Sequence, residues 1–258
     1  MKNKKCIIEK VGSRGTLFTY SDLEGLLTTV YLIECPGHVY VIDTFLGPGS
    51  MTPVLEHIDK SCPGKPAVVF NTHYHWDQVW GNCAFPGAIV ASHRLTRQKM
   101  AEAGQKELDA YGQYRRGEVR LVMPGLTFDS GLAFEDDGVE FFHSPGHTED
   151  SSSCLDRVDG VLLVGDNVEM PLPFLNWDDL EAYRKTLEGY KQRNVSRIIA
   201  GHCLQVTTEV LDANIRYLED FQQGRTAAYE TGASGPSHSQ NIQAMAKLSG
   251  ARRNDGPA

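Results

Sequence analysis

The stretch Asn71-Thr72-His73-Tyr74-His75-Trp76-Asp77-Gln78 carries three side chains able to bind a metal within five residues. It follows Ala67-Val68-Val69-Phe70, an apolar run that reads as a strand. In extended backbone, residues two apart point the same way, so His73 and His75 can turn both imidazoles to one point while Tyr74 faces away. Asp77 falls where the strand must end. Trp80-Gly81-Asn82 after it predicts a turn or short helix that brings the carboxylate back toward that point.

Three more ligand-type residues share one setting. His147 follows Phe141-Phe142-His143-Ser144-Pro145-Gly146, Asp166 follows Val161-Leu162-Leu163-Val164-Gly165, and His202 follows Ile198-Ile199-Ala200-Gly201. Each is an apolar run, a small or turn-forming residue, then a ligand, which is how a buried strand runs into a loop. Strands sharing a sheet edge would make the ligands converge. In order and spacing this resembles the metallo-β-lactamase-fold superfamily, whose pattern is HxHxDH, then a His, an Asp and a His, each at a strand end. The resemblance runs from about residue 28 to residue 202. One position departs: Gln78 stands where the family's second metal usually finds a histidine.

His73, His75 and His147 offer three neutral nitrogens, which suits a zinc-type ion with a fourth position open to water. Such an ion lowers the pKa of its water to about 7 and polarises a carbonyl or phosphoryl oxygen, so hydrolysis is its natural use. The resemblance implies a second ion on Asp77 and His202, with Asp166 bridging. With one metal present, Asp77 is the candidate catalytic residue, orienting the attacking water. An amide oxygen is a poorer donor than imidazole. Gln78 therefore predicts one tight zinc site and a second that is weaker or absent; iron and manganese are the other metals considered.

The expected activity is metal-dependent hydrolysis of a small-molecule ester, thioester, lactone or amide. A glyoxalase-II-like thioesterase fits Asp166, but the loop after it lacks that family's Cys-Gly-Arg-Phe-Phe run. Flavodiiron-type carriers place Glu where His75 stands. The alternatives are a non-haem iron persulfide dioxygenase of the same fold, matching at His73, His147 and Asp166, and a metal-binding protein without catalysis.

The elements that must position these groups follow from pattern. Strands are expected at 17–20, 28–34 and 39–43, with a loop at 21–25 and a hairpin turn at 35–38 that leaves His38 solvated. Thr52 reads as the cap of a short helix with Pro53 at its first position. After the ligand strand come a strand at 88–91, a charged helix capped by Ser92 and running to about 111, and three short strands within 117–142. His57 and His93 are read as surface groups of their helices, and His143 as a packed or hydrogen-bonded strand residue. A hairpin across Asp159-Gly160 delivers Asp166. The loop 169–177 holds two large aromatics, Phe174 and Trp177; with Tyr74, Trp76 and Gln78 they are the candidate substrate contacts. A helix capped by Asn176 or Asp178, a strand at 197–200 and a helix at 209–223 complete a 1–224 domain. Residues 225–258 are rich in Gly, Ser, Ala, Asn and Pro and are expected to form a mobile arm or a short docking helix. Periodicity alone gives α/β with two sheets possible; the resemblance implies a four-layer αββα sandwich.

Composition narrows the partners. The 258-residue chain has a net charge of -8 and no Lys/Arg cluster beyond its first five residues, which speaks against a nucleic-acid surface. No run reaches membrane-spanning length, and Glu9 and Lys10 interrupt Cys6-Ile7-Ile8 before a secretory core can form. Six cysteines without a CxxC pair read as reduced thiols of a cytoplasmic protein, Cys203 beside His202 as a structural one. The expected partner is a small-molecule substrate, with neither nucleic acid nor membrane, and an oligomer is possible.

Overall fold

A computed structural model of the chain describes residues 6–23 and 25–254, with residues 22 and 251–254 described by backbone alone. The basic residues 1–5, Glu24 of the expected loop and the last four residues of the tail lie outside the described residues.

Two sheets form the centre. The first runs in chain order: β1 (Cys6–Val11), β2 (Gly15–Leu23), β3 (Leu26–Glu34), β4 (Val39–Ile42), β5 (Ala67–Asn71), β6 (Ile89–His93) and β7 (Leu126–Phe128). β1 to β4 are an antiparallel meander, and β4 to β7 are parallel. The change of direction follows the sequence: Val39-Tyr40-Val41-Ile42 is buried throughout, as strands covered on both faces are, and helix α1 (Thr52–Ser61) supplies the crossover to β5. The second sheet is β12-β11-β10-β9-β8, built from β8 (Gly131–Phe134), β9 (Val139–His143), β10 (Ser152–Asp156), β11 (Val161–Leu163) and β12 (Arg197–Ile199). β11 and β12 are its parallel pair.

The sheets pack face to face on Leu17, Tyr31, Ile33 and Phe70 from one and Phe141, Leu163 and Ile199 from the other. Phe70 stacks on Phe141 with centroids 4.1 Å apart and planes 10° from parallel. The outer face of the first sheet (Phe18, Leu32, Val41, Val69) packs on Val54 of α1. That of the second (Leu162, Val164) is covered by α4 (Leu180–Gln192) and α5 (Thr208–Gln222). Asp179 caps α4 by accepting from the Ala182 amide, and Leu180, Tyr183, Leu187 and Tyr190 bury its apolar stripe. The result is the four-layer αββα sandwich.

At the end of the strands away from the ligands, acids tie the sheets together. Asp137, before β9, accepts from the Gly37 amide, the Tyr40 hydroxyl and His38, whose Nδ1 is 2.7 Å from Oδ2. Arg14 reaches Asp156 with Nε 3.1 Å from both carboxylate oxygens. His38 is thus an inter-sheet tie rather than a solvated turn residue, because the β8–β9 turn brings Asp137 to it.

Other local expectations shift for physical reasons. β1 was not expected; its Ile7 and Ile8 lie on an exposed edge and show no inward alternation. Residues 117–125 form no strand. Thr52 is the first residue of α1, with Met51 at the cap position. His93, buried rather than on the surface, replaces Ser92 as cap of α3 (Arg94–Ala110), its Nδ1 accepting from the Leu95 amide. It stacks on His143 at 3.9 Å between centroids. The last described element is α6 (Gly235–Asn254). Its buried Asn241 accepts from the Leu175 amide and donates to the Pro173 carbonyl, and its His238 Nδ1 lies 2.9 Å from the Tyr217 hydroxyl of α5. Among the described residues no helix is long and apolar enough to cross a membrane.

Candidate metal centre

All six expected ligands come from the same end of the two sheets. β5 stops at Asn71, and residues 72–74 bend rather than extend. The bend changes the pairing: His73 presents Nε2 and His75 presents Nδ1, 3.0 Å apart. Helix α2 (Trp76–Val79) follows at once and turns Asp77 inward. His147 lies in the loop after β9, Asp166 in a short 3-10 turn after β11, and His202 after β12.

Three imidazole nitrogens and one carboxylate oxygen meet at the first position. His147 Nε2 is 3.1 Å from His75 Nδ1, and Asp166 Oδ2 is 3.3 Å from His73 Nε2. Ligand atoms of His73, His75, His147 and Asp166 all lie within 4.8 Å of one another. A second position adjoins it, where His202 Nε2 is 3.2 Å from Asp77 Oδ2 and 3.3 Å from Asp166 Oδ2. Asp166 therefore faces both positions.

Partners on the far side of three of the four rings fix which nitrogen turns inward. The Thr72 hydroxyl donates to Asp43 Oδ2 at 2.8 Å, so toward His73 Nδ1, 3.1 Å away, it acts as acceptor. Backbone carbonyls accept from two more rings: Phe174 O from His147 Nδ1 at 3.1 Å, and Leu27 O from His202 Nδ1 at 2.8 Å. In each case Nδ1 is the N–H held outward and Nε2 is the nitrogen turned to the metal positions. Asp43 holds this frame from a left-handed conformation, φ 60°, and its other oxygen takes the Thr72 amide. Gly201 is required beside the site, because a Cβ there would lie 2.1 Å from Asp166 Oδ1.

Burial and Asp166 set the charges. Burial, with His73 and His147 nearby, pushes His75 well below the usual imidazole range, and burial takes His147 down to about 4, so both are neutral at pH 7. Burial would lower His73 and His202 as well, but Asp166 beside them holds His73 at about 9 and His202 well above its usual range. Burial likewise opposes ionisation of Asp166, yet His202 and His73 keep it well below the carboxylate range. Once an arriving cation displaces the second protons of His73 and His202, these inward-facing nitrogens beside a charged carboxylate are the donor set a zinc-type ion takes. The Gln78 amide Oε1 is buried without a hydrogen-bond partner, while its Nε2 lies 3.4 Å from His202 Nε2. The residues fit a cation at the first position, and at the second they fit one with a poorer donor set.

The centre opens into a cleft of about 850 Å³. Tyr74, Trp76 and Phe174 line it, as does Asp77. Gln78 is buried beneath it at the metal positions, and Trp177 is not among its lining residues. Of the loop 169–177, Glu169, Phe174 and Asn176 face the cleft. Sequence reasoning missed Glu107 of α3, Glu169, and Gln240, Gln243 and Lys247 of α6, all on the cleft. Glu107 and the α6 residues carry no local signal, since each reads as an exposed helix face. Glu169, lifted by burial and by Asp166 to about 8, could have been flagged by its place three residues after a ligand.

The fold is shared with solved structures. A metallo-beta-lactamase from Pontibacter korlensis matches with a TM-score of 0.68 at 20% identity, over 83% of this chain and 99% of that one. One from Hirschia baltica matches with a TM-score of 0.63 at 19% identity, over 83% and 98%. The sequence model described as the metallo-beta-lactamase superfamily matches residues 23–202, a span that contains His73, His75, Asp77, Gln78, His147, Asp166 and His202. With that match over more than half its length and the ligand cluster at the matching strand ends, the chain belongs to the metallo-β-lactamase superfamily.

Proposed function

We propose that the protein is a metal-dependent hydrolase, zinc-using, that cleaves an ester, thioester, lactone or amide bond in a small molecule. The observation that carries this reading is His75 Nδ1, 3.0 Å from His73 Nε2 and 3.1 Å from His147 Nε2. It adds a third nitrogen to His73, His147 and Asp166, the two-histidine, one-carboxylate set an iron oxygenase would use, and three nitrogens favour a zinc-type ion.

His73, His75 and His147 would hold the first ion, and Asp77, Asp166 and His202 a second, weaker one. The ion supplies Lewis acidity and lowers the pKa of water to about 7. The chain does the rest. Asp77, at the floor of the cleft, accepts a hydrogen bond from the attacking water and aims its lone pair at the scissile carbonyl. Phe174 O keeps the His147 proton on Nδ1, and Thr72 does the same for His73, so neither imidazole competes for that water as a donor. Tyr74, Trp76 and Phe174 cover the substrate's apolar part and exclude bulk water.

The test is metal analysis of protein purified without added metal, followed by an ester, lactone, thioester and persulfide panel. Zinc reconstitution should restore hydrolysis without oxygen, and His73→Ala or His147→Ala should lose both the metal and at least about 100-fold in rate. Oxygen consumption with the persulfide, dependent on iron and absent with zinc, would overturn the hydrolase reading.

A further inference from the structure

One wall of the cleft carries chemistry that the metal ligands leave unused. Glu107, on α3, lines the cleft with Tyr74, Trp76 and Tyr111. Trp76 lies nearly parallel to Tyr111, with centroids 4.9 Å apart and 14° between planes, and also stacks on Tyr114 at 5.4 Å. The Trp76 amide donates to Glu107, which fixes the carboxylate against these rings. Its Oε2 is covered and has no hydrogen-bond donor. Among the described residues no lysine or arginine forms an ion pair with it.

The charge of the cleft points the same way. Asp77 and Asp166 belong to the metal positions, which leaves Glu107 and Glu169 against Lys247 among the described lining residues. An anionic substrate group would meet an uncompensated carboxylate at this wall. Lys99 Nζ already lies 5.7 Å from the Tyr74 ring centroid, so a substrate cation would meet the Glu107 carboxylate beside the Trp76–Tyr111 stack.

We infer that this wall is a subsite for a cationic nitrogen, an ammonium group of the substrate held by Glu107 beside Trp76 and Tyr111. The inference deepens the hydrolase reading and rests on it only for what the bound molecule then undergoes. Glu107 positions the substrate relative to the metal centre and takes no part in bond cleavage.

The test uses binding alone, so that it stands or falls apart from turnover. Calorimetry on the zinc-loaded full chain compares choline with 3,3-dimethyl-1-butanol, which has the same shape with carbon in place of the charged nitrogen. Neither holds a bond to hydrolyse. Choline should bind about tenfold or more tightly than the neutral isostere. Glu107→Gln keeps an acceptor for the Trp76 amide while removing the charge, and should bring the two ligands within about twofold. Tyr111→Leu should also weaken choline, by a few-fold, with zinc content unchanged. Equal binding of the two ligands by the wild type, which needs no variant to fold, would overturn the subsite. So would a choline preference that survives in Glu107→Gln, because Glu107 would then serve only to tether Trp76.

Discussion

The side-chain nitrogen of Gln78 lies 3.3 Å from one oxygen of Asp166 and 3.4 Å from the other. A donor thus faces the carboxylate that would bridge two ions. For Gln78 to serve the second position its amide must turn over and offer Oε1 instead, giving up the hydrogen bonds to Asp166. That cost adds to the weaker donor strength of an amide.

Zinc titration of metal-free protein should therefore give one tight and one weaker site. Gln78→His should tighten the second site about tenfold or more and leave the first unchanged. Calorimetry on the two proteins side by side decides it: two equally tight sites in the wild type would show that Asp77, Asp166 and His202 suffice.

Asn241 sits two steps from a metal ligand. By holding the Leu175 amide and the Pro173 carbonyl it brackets Phe174, whose carbonyl accepts from His147 Nδ1. Asn241→Leu should lower zinc affinity at the first site about tenfold and stability by about 2 kcal/mol, as two buried backbone groups lose their partners. Competition with a chromophoric chelator measures the first and thermal unfolding the second. Ile242→Ala, at an exposed neighbouring position, is the control and should change neither.

Gly201→Ala should be among the most damaging single-atom additions in the protein. The methyl would overlap Asp166 Oδ1, and the Thr29 amide bonds the Gly201 carbonyl at 2.8 Å, which keeps the backbone from yielding. The expected result is a folded protein with metal affinity reduced about 10- to 100-fold, read by equilibrium dialysis. Unchanged affinity would mean that Asp166 can move without loss of the ion.

The inter-sheet tie at Asp137 gives an acid limb to stability. Burial would raise this carboxyl, but hydrogen bonds from His38, Gly37 and Tyr40 hold it below its ordinary value. A carboxylate whose folded pKa is depressed contributes in full above its unfolded value of about 3.9, and the contribution fades as pH falls through the folded value. Asp137→Ala should cost about 2–4 kcal/mol at pH 7 by leaving the Gly37 amide and the Tyr40 hydroxyl unpaired. The difference from wild type should shrink below pH 4. Urea titrations from pH 7 to pH 3 test the size and the direction together.

The candidate ligands were legible in the sequence because each follows an apolar run at a strand end, and that pattern survives without knowledge of the sheet order. Which nitrogen each histidine uses was not legible. It depends on Thr72, Leu27 O and Phe174 O, two of them backbone atoms that carry no sequence signature. The alternation argument for His73 and His75 brought the right pair together by the wrong geometry, since the chain there is bent. Trp177 was read as a substrate contact for its size, but size does not set the side of a proline-bent loop that a ring takes. Glu107 and α6 escaped notice because a charged helix looks solvated until its tertiary neighbours are known.

His73, His75 and Asp77 hang from the first sheet, and His147, Asp166 and His202 from the second. An ion between them works as a cross-link that forms in the folded chain and not in the unfolded one. By mass action it adds a term logarithmic in free metal, about 4 kcal/mol at a thousand times Kd. The melting temperature is then no fixed property of the polypeptide. It would rise and fall with the activity of the bound metal in the surrounding medium, and a chelator would loosen one sheet from the other before it touched any bond within either.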